Sequence, residues 1–410
     1  MREEFCPKTC GFCIENIKKA RHLKNTCSQP ATIDVALLAR NISNFGWQLL
    51  ERVTLTEAEN ENIVLSPISI AFTLEMILNG LAQHQPRSRL KFLALSGHNI
   101  GSYNRLLTQL TKRKQKLQLS ITNSLFLHND VVPKMEYMTM IANCLSAHLE
   151  LKDFRENPLK AAREINLWIA QETNGLIHRL VEESTFPSST VLLLANVLYF
   201  NGKWKTPFVR ENGAETMMIP FMSVDGRLNR VPTMVMQSEF LFAEDENTIL
   251  VGLPYKNDEA VLYIILPKSG LISEWRSSEL SELGKLISAA KPEEIKLAIP
   301  KFNIKRGTAL KGVLSDMGLG ELFDPRLANF SGMVEPNTAS PLYVSEAIHS
   351  AAIRVHEKGT EAAAATGLGA SFFTLPPQRR FVAVDRPFMF LLRHEATHAN
   401  LFIGQVVQLH

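Results

Sequence analysis

Apolar residues recur every three or four positions in the first part of the chain, a spacing that is typical of helices. Between residues 33 and 53 this pattern predicts an amphipathic helix. Ser66 and Pro67 predict the start of a second helix, because serine caps helix N-termini and proline fits the first turn. The apolar residues 70–81 indicate that this second helix is buried, and residues 165–180 predict a third helix.

In the second half of the chain the pattern changes to one that favours strands. Residues 191–200 are almost continuously apolar, which is typical of a strand buried on both faces. Helices early and strands late indicate an α+β protein. Because no repeat or low-complexity linker follows residue 31, we expect a tail over residues 1–31 and one domain over residues 32–410. Further strands are predicted at residues 260–266, 295–299, 351–356, 388–393 and 401–407.

The composition is that of a globular protein, and it narrows the classes of partner. The 410 residues are 45% hydrophobic and 21% charged, which allows a core of ordinary size. A net charge of +3 is too small to favour nucleic-acid binding. No run of about 18 apolar residues is present, so we expect no membrane span. The first residues lack an apolar signal-peptide core, so a signal was removed, the chain is a fragment, or it is not exported by that route.

Four of the five cysteines are crowded into the tail. This clustering predicts a disulfide-held appendage and a secreted, extracellular protein. A zinc site is the rival interpretation, since Cys10 and Cys13 have ligand spacing, but no second cysteine or histidine pair follows them. Cys144 lies in an apolar run and is predicted to be a buried free thiol. The sequons at Asn41 and Asn329 fit a secreted glycoprotein. The tail cysteines are Cys6, Cys10, Cys13 and Cys27.

Two further motifs suggest ligands. His394 to His398 matches the HExxH pattern of zinc hydrolases, which requires a helix. The match lies between two predicted strands, so we expect a hairpin turn, no metal, no cofactor and no enzyme activity. The basic residues 112–116 could bind a glycosaminoglycan, but a solvated surface is the favoured interpretation.

A series of short motifs resembles the serpin family, in the family's order, over residues 32–409. The resemblance implies an α+β serpin fold with three β-sheets, about eight or nine helices and an exposed reactive-centre loop, in a monomer. Residues 81–95 lack the family's usual Gly-x-Thr run, and residues 6–13 look like the end of a six-cysteine toxin-like module. The motifs are residues 62–69, 165–177, 194–204, 253–255, 299–302, 329–332, 385–388 and 401–404.

Residues 357–377 correspond to the reactive loop in this resemblance. A strand places alternate side chains on opposite faces, so Thr360 shares a face with the alanines at even positions, and that face carries no charge. The other face holds the only charge, Glu361. As an isolated segment the alanine run favours a helix, but this alternation suits strand insertion and predicts an inhibitor. The predicted hinge residues are Glu357, Gly359, Thr360, Glu361, Ala362, Ala363, Ala364 and Ala365.

Family geometry places the cleaved bond between Phe373 and Thr374. Phe373 suits the hydrophobic specificity pocket of a chymotrypsin-like serine protease, with Leu375 as second choice, whereas Arg379 and Arg380 lie too far along the loop. We therefore expect a suicide substrate that traps this protease covalently; the alternative is a non-inhibitory carrier or chaperone. The resemblance also implies that sheet opening is controlled by Ser66, Ser69, Asn196, Trp204, Lys301 and His349.

Overall fold

The computed structural model describes Cys27 and most of the chain from residue 34 to residue 410. Several predictions fall outside the described residues: the cleaved bond at Phe373 and Thr374, the hinge residues from Glu361 to Ala365, three tail cysteines and the basic segment 112–116. The residues not described are 1–26, 28–33, 58–59, 83–99, 112–117, 174, 176, 183–185, 188, 271, 273–279, 337, 339–340 and 361–379.

Seven α-helices lie within the described residues. The first two confirm the helices predicted from apolar spacing. In the second helix the Ser66 side chain accepts a hydrogen bond from the Ser69 amide at 3.3 Å, and every residue from Pro67 to Leu78 is buried. The helices are α1 (Val35–Glu57), α2 (Pro67–Asn79), α3 (Ile100–Leu110), α4 (Met135–Leu145), α5 (Pro158–Glu172), α6 (Leu280–Ala289) and α7 (Lys311–Leu314).

The third predicted helix is displaced toward the N-terminus. We expected residues 165–180, but α5 begins at Pro158, in the first turn, where proline is favourable. It ends because the Thr173 hydroxyl donates to the Ile169 carbonyl at 2.7 Å and accepts from the Ile177 amide at 3.1 Å. Gly175 then adopts a φ of +75°, which turns the chain away from the helix axis.

Within the described residues, fifteen strands form two hydrogen-bonded sheets, where the family resemblance predicted three. The 17-residue strand β6 pairs with β5 along its first half and with β7 at its last four residues, so it joins strands into one larger sheet. The strands are β1 (Ile63–Leu65), β2 (Gln118–His128), β3 (Ala147–Lys152), β4 (Leu192–Lys203), β5 (Glu215–Met222), β6 (Leu228–Glu244), β7 (Thr248–Pro254), β8 (Ala260–Pro267), β9 (Lys291–Pro300), β10 (Phe302–Ala309), β11 (Glu346–His356), β12 (Gly359–Thr360), β13 (Phe381–Ala383), β14 (Phe388–His394) and β15 (Ala399–Val406).

Both sheets contribute side chains to the main hydrophobic core. The larger sheet has the strand order β1-β15-β14-β8-β7-β6-β9-β13, with β5 beside β6. The smaller sheet has the order β10-β11-β12-β4-β2-β3. Phe302 of the smaller sheet contacts Phe388 and Phe390 of the larger one, each with ring centroids 5.7 Å apart. The first residue of β10 therefore contacts β14.

The prediction of a free thiol at Cys144 is wrong, because Cys144 forms a disulfide with Cys27. Cys144 is fully buried near the end of α4, and Cys27 packs against the main core. The two residues are 117 positions apart, so their proximity is a product of tertiary folding. Cys27 is consequently held by the folded body rather than by another cysteine of the tail.

Candidate functional site: a seam in the smaller sheet

A seam between β4 and β11 is the most unusual feature of the smaller sheet. Residues 346–351 of β11 pair in parallel with residues 193–198 of β4. Beyond this stretch the two strands separate, and the two-residue strand β12 lies between them. Thr360 pairs with Val355 on one side and with Gly202 on the other. The sheet can therefore accept a strand at this position.

Two of the predicted hinge residues, Gly359 and Thr360, occupy the seam instead of being exposed as expected. Gly359 and Thr360 are both buried, and their backbones pair on both sides. Gly359 has a φ of +144°, and a Cβ placed there would lie 2.1 Å from the Gly202 carbonyl oxygen. Only glycine fits at this position, because any side chain would clash with the backbone of β4.

Tyr255 holds Thr360 in the seam, and the sequence reading gave this tyrosine no role. The Tyr255 and Thr360 hydroxyls form a hydrogen bond of 2.6 Å. The Tyr255 ring packs against Trp204 and Phe200, with ring centroids 4.5 and 5.0 Å apart. Burial raises the pKa of Tyr255, so the phenol stays protonated and can donate or accept this bond. The motif containing Tyr255 was visible in the sequence, but its partner was not.

The hinge residue Glu357 forms an ion pair with Lys301 just before β12. Lys301 Nζ is 2.9 Å from Glu357 Oε1, and the Thr216 hydroxyl donates to the same oxygen at 3.1 Å. Partial burial by itself would raise the pKa of Glu357, but hydrogen bonds from Lys301 and Thr216 leave it below its ordinary value. Glu357 is therefore held as a carboxylate at the entrance to the seam.

Trp204 joins β4 to the chain that leads into the hinge. Its indole Nε1 donates to the His356 carbonyl at 2.8 Å, and its backbone amide donates to the Lys358 carbonyl at 3.1 Å. The Phe208 amide donates to the Glu357 carbonyl at 2.7 Å. The segment before β12 is thus fixed by three hydrogen bonds, which also fix the direction in which β12 enters the sheet.

Beneath the opening, the structure brings Ser66, Ser69, Asn196 and His349 together, and all four are buried. The Ser66 amide donates to His349 Nε2 at 3.0 Å, so the proton on the ring lies at Nδ1, 2.7 Å from Asn196 Oδ1. The Ser69 hydroxyl donates to the same Asn196 oxygen at 2.6 Å. Burial lowers the pKa of His349 to about 3, so the ring is neutral at physiological pH. These bonds tie α2 to both strands of the seam.

Two further polar residues, Thr73 and Asn123, extend this buried cluster and were missed in the sequence. The Thr73 hydroxyl donates to Asn123 Oδ1 at 3.1 Å, and the Asn196 side-chain amide donates to the same oxygen. Thr73 lies four residues after Ser69, on the same face of α2, which is the one signal that could have revealed it. Asn123 pairs in register with Asn196 across β2 and β4. The cluster therefore spans three strands.

Helix α5 covers the outer face of the seam. Ile169 packs in a small apolar group with Val197 of β4 and Ala352 of β11. Trp168 contacts Phe126 of β2 edge to face, with ring centroids 5.4 Å apart. A strand that entered deeper into the seam would pass beneath this helix.

The HExxH match lies in a β-hairpin, as predicted. His394 ends β14, and His398 follows in the turn with a φ of +57°. His394 Nδ1 lies 2.9 Å from the Thr397 hydroxyl, and His398 contacts Arg393. Within the described part of the chain, no group of three histidine, cysteine, aspartate or glutamate side chains is arranged to hold a metal ion. No described helix is long and apolar enough to cross a membrane.

The smaller sheet thus holds Gly359 and Thr360 between β4 and β11, directly above the buried polar cluster. The family described as Serpin (serine protease inhibitor) matches residues 40–409, and the chain belongs to this family. The predicted serpin fold is thereby confirmed.

Similar proteins differ in what they bind. Mouse antithrombin-III is 30% identical over 90% of this chain and 81% of its own length. The structure of the thyroxine-binding globulin complex with thyroxine aligns with a TM-score of 0.77 at 26% identity, covering 90% of this chain and 98% of that chain. Native protease nexin-1 with heparin aligns with a TM-score of 0.79 at 26% identity, covering 92% and 100%. Protease inhibition and small-molecule binding therefore both occur among proteins of this fold.

Proposed function

We propose that the protein is a serine protease inhibitor that acts as a suicide substrate. A chymotrypsin-like protease cleaves the bond between Phe373 and Thr374, and the freed loop then inserts between β4 and β11. The observation that carries this proposal is the position of Gly359 and Thr360, which already pair with both strands of the seam. Insertion would extend a strand whose first two residues are in place. The choice of protease rests on the sequence, since Phe373 lies outside the described residues.

In this mechanism the protease supplies the chemistry. Its serine attacks the Phe373 carbonyl carbon, the peptide bond breaks, and Thr374 leaves as a free amine while Phe373 remains as an acyl ester. The growing strand must break the backbone pairs between residues 346–351 and residues 193–198, together with the bond between His349 and Asn196. This requirement gives the buried cluster its proposed role as a latch, and gives Trp204 and Lys301 theirs at the entrance.

The test is to mix the protein with chymotrypsin and to look for a complex that survives SDS. We expect such a complex for the wild type and for Phe372→Ala, and a strong loss of the inhibition rate for Phe373→Ala. Thr360→Arg places a charge in the buried seam, so this variant should be cleaved without forming a complex. Cleavage of the wild type without complex formation would contradict the proposal.

A carrier is the alternative function, and one cavity favours it. A cavity of about 1040 Å³ lies between the end of α1, residues 220–228 and residues 385–389, and its lining combines apolar side chains with two cations, Lys268 and Arg386, and two carboxylates, Glu51 and Asp385. The buried Ser223 hydroxyl at its edge has no hydrogen-bond partner among the described residues. Saturable one-to-one binding of thyroxine as a probe, in equilibrium dialysis, combined with the absence of a chymotrypsin complex, would favour this alternative.

Secretion, glycosylation and a glycosaminoglycan ligand are further proposals. Of the two sequons, Asn329 is exposed, whereas Asn41 is half-buried within α1. We therefore expect any glycan at Asn329, and PNGase F should shift the mobility of the wild type but not that of Asn329→Gln.

The basic segment 112–116 follows α3 and is the proposed glycosaminoglycan site. An inhibition rate that heparin leaves unchanged would exclude this ligand. Residues 1–31 remain a proposed cysteine-bearing appendage, and the protein a proposed monomer.

A further inference from the structure

Two cations on the outer face of the seam, Arg354 of β11 and Lys203 of β4, have side chains that make no ion pair or hydrogen bond with a described residue. Alternate residues of a strand share a face. Arg354 therefore shares a face with Ala352, and Lys203 shares a face with Val197. Ala352 and Val197 pack with Ile169 of α5, which covers this face lower down. Arg354 and Lys203 are exposed, so they lie beyond the helix, at the entrance to the seam.

The register of β12 shows which residue of the loop would reach Arg354. Thr360 pairs with Val355 of β11 in an antiparallel ladder. Each step forward on one strand of such a ladder is a step back on the other, so the next residue, Glu361, would stand opposite Arg354. By the same count it would stand opposite Asn201 of β4. Residues directly opposite share a face, with Cα atoms about 5 Å apart, which is within reach of an arginine–carboxylate pair.

The same count explains why the loop carries a charge at this position and none at the next position on the outer face. Ala363 would stand opposite Ala352, which packs with Ile169 of α5. A charge there would be buried without a partner, at a large cost in free energy. At Glu361 the outer face is open, and Arg354 lies directly across on β11. The charge of the loop thus falls where the sheet holds an unpaired charge of opposite sign.

We propose that Arg354 is a positioning residue for loop insertion, because it binds the Glu361 carboxylate as soon as the loop advances one residue beyond Thr360. This inference rests on the proposed inhibitory function. The guanidinium can hold the carboxylate through two parallel hydrogen bonds, a geometry specific to arginine. The ion pair belongs to the inserted form, so it favours insertion without stabilising the intact protein. It forms before the latch has to open, and it therefore shortens the time in which the acyl ester can be hydrolysed.

The test reverses the charges singly and then exchanges them. Slower insertion lets more inhibitor be cleaved without trapping chymotrypsin, so Arg354→Glu and Glu361→Arg should each raise the ratio of cleaved to complexed inhibitor about twofold to fivefold. The double variant, Arg354→Glu with Glu361→Arg, should return this ratio to the wild-type value. Lys305→Glu is the matched control, since Lys305 pairs with Ala352 on the same face but lies on β10, one strand further from the seam. In 1 M NaCl the effect of each single reversal should shrink.

Heat unfolding of the intact and the loop-cleaved forms, in urea so that ion pairs stay unscreened, separates this role from a merely structural one. Each single reversal should lower the melting temperature of the cleaved form only, and the double variant should restore it. An equal loss in the intact form, or no rescue by the double variant, would overturn the proposal. If the wild type is cleaved without forming a complex but the cleaved variants still show loss and rescue, the proposed function fails while the ion pair stands.

Discussion

At the scale of single residues, His349 links the latch to pH. Its folded-state pKa of about 3 lies far below the ordinary value of 6.5, because burial disfavours the charged ring. Between these two values the unfolded chain binds a proton that the folded protein does not, so the free energy of unfolding must fall as the pH falls. At pH 5 the loss is about 2 kcal/mol relative to pH 7.5.

Urea unfolding at the two pH values would measure this loss. The His349→Asn variant has no titrating ring at this position and is the reference for the other histidines and carboxylates. The wild type should lose about 2 kcal/mol more than His349→Asn between pH 7.5 and pH 5. Equal losses in both proteins would mean that His349 is protonated in the folded state.

The hydroxyl pair of Tyr255 and Thr360 makes a separable contribution to hinge docking. The bond is buried and 2.6 Å long, and the Tyr255→Phe variant keeps the ring contacts with Trp204 and Phe200. A double-mutant cycle with Tyr255→Phe and Thr360→Val should give a coupling of about 1 kcal/mol in the free energy of unfolding. Strictly additive effects would show that the two hydroxyls do not interact in solution.

At the scale of elements, the disulfide between Cys27 and Cys144 fixes the segment before α1 to the end of α4. Closing a loop of 117 residues should stabilise the folded protein by roughly 5 kcal/mol, because it restricts the unfolded chain. Cys27→Ser should therefore unfold at lower urea concentration than the wild type, and a reductant should bring the wild type to the same midpoint. Cys6→Ser, which alters a cysteine outside this pair, is the control. An unchanged midpoint for Cys27→Ser would show that the bond does not form.

The sequence predicted elements better than it predicted their contacts. Helices α1 and α2 and strand β4 follow from apolar spacing, since burial of one face or of both is a local property of the pattern. The docking of β12 does not follow, because alternation tells which side chains share a face but not whether the strand is already in the sheet. The end of α5 was missed, since it depends on the hydrogen bonds of one side chain, Thr173.

Contacts between distant segments were also hard to predict for the buried polar cluster and for the cysteines. The family resemblance named Ser66, Ser69, Asn196 and His349, and the structure shows the contacts among them; their control of sheet opening stays a prediction. Asn123 has no marker in its own segment, because its relevance comes only from facing Asn196 on the next strand. Likewise, Cys27 was grouped with its sequence neighbours although its partner is distant.

At the scale of the whole molecule, the seam predicts that the active form is not the most stable one. The parallel pairs between residues 346–351 and 193–198 would be exchanged for two new ladders along an inserted strand. Because β12 pairs antiparallel with both neighbours, residues after Thr360 would continue antiparallel ladders on both sides. With roughly 13 more residues hydrogen-bonded on both edges, insertion should raise the free energy of unfolding on the order of 10 kcal/mol.

Cleavage within the loop, followed by thermal unfolding, measures this difference directly. The wild type, cut between Phe373 and Thr374, should unfold at a much higher temperature than the intact protein, although the number of covalent bonds has fallen. Thr360→Arg should be cut equally well but gain little, since a charge at a buried position of the seam opposes insertion. A cleaved wild type that melts with the intact protein would mean that the seam does not open, and the inhibitory mechanism would then fail with it.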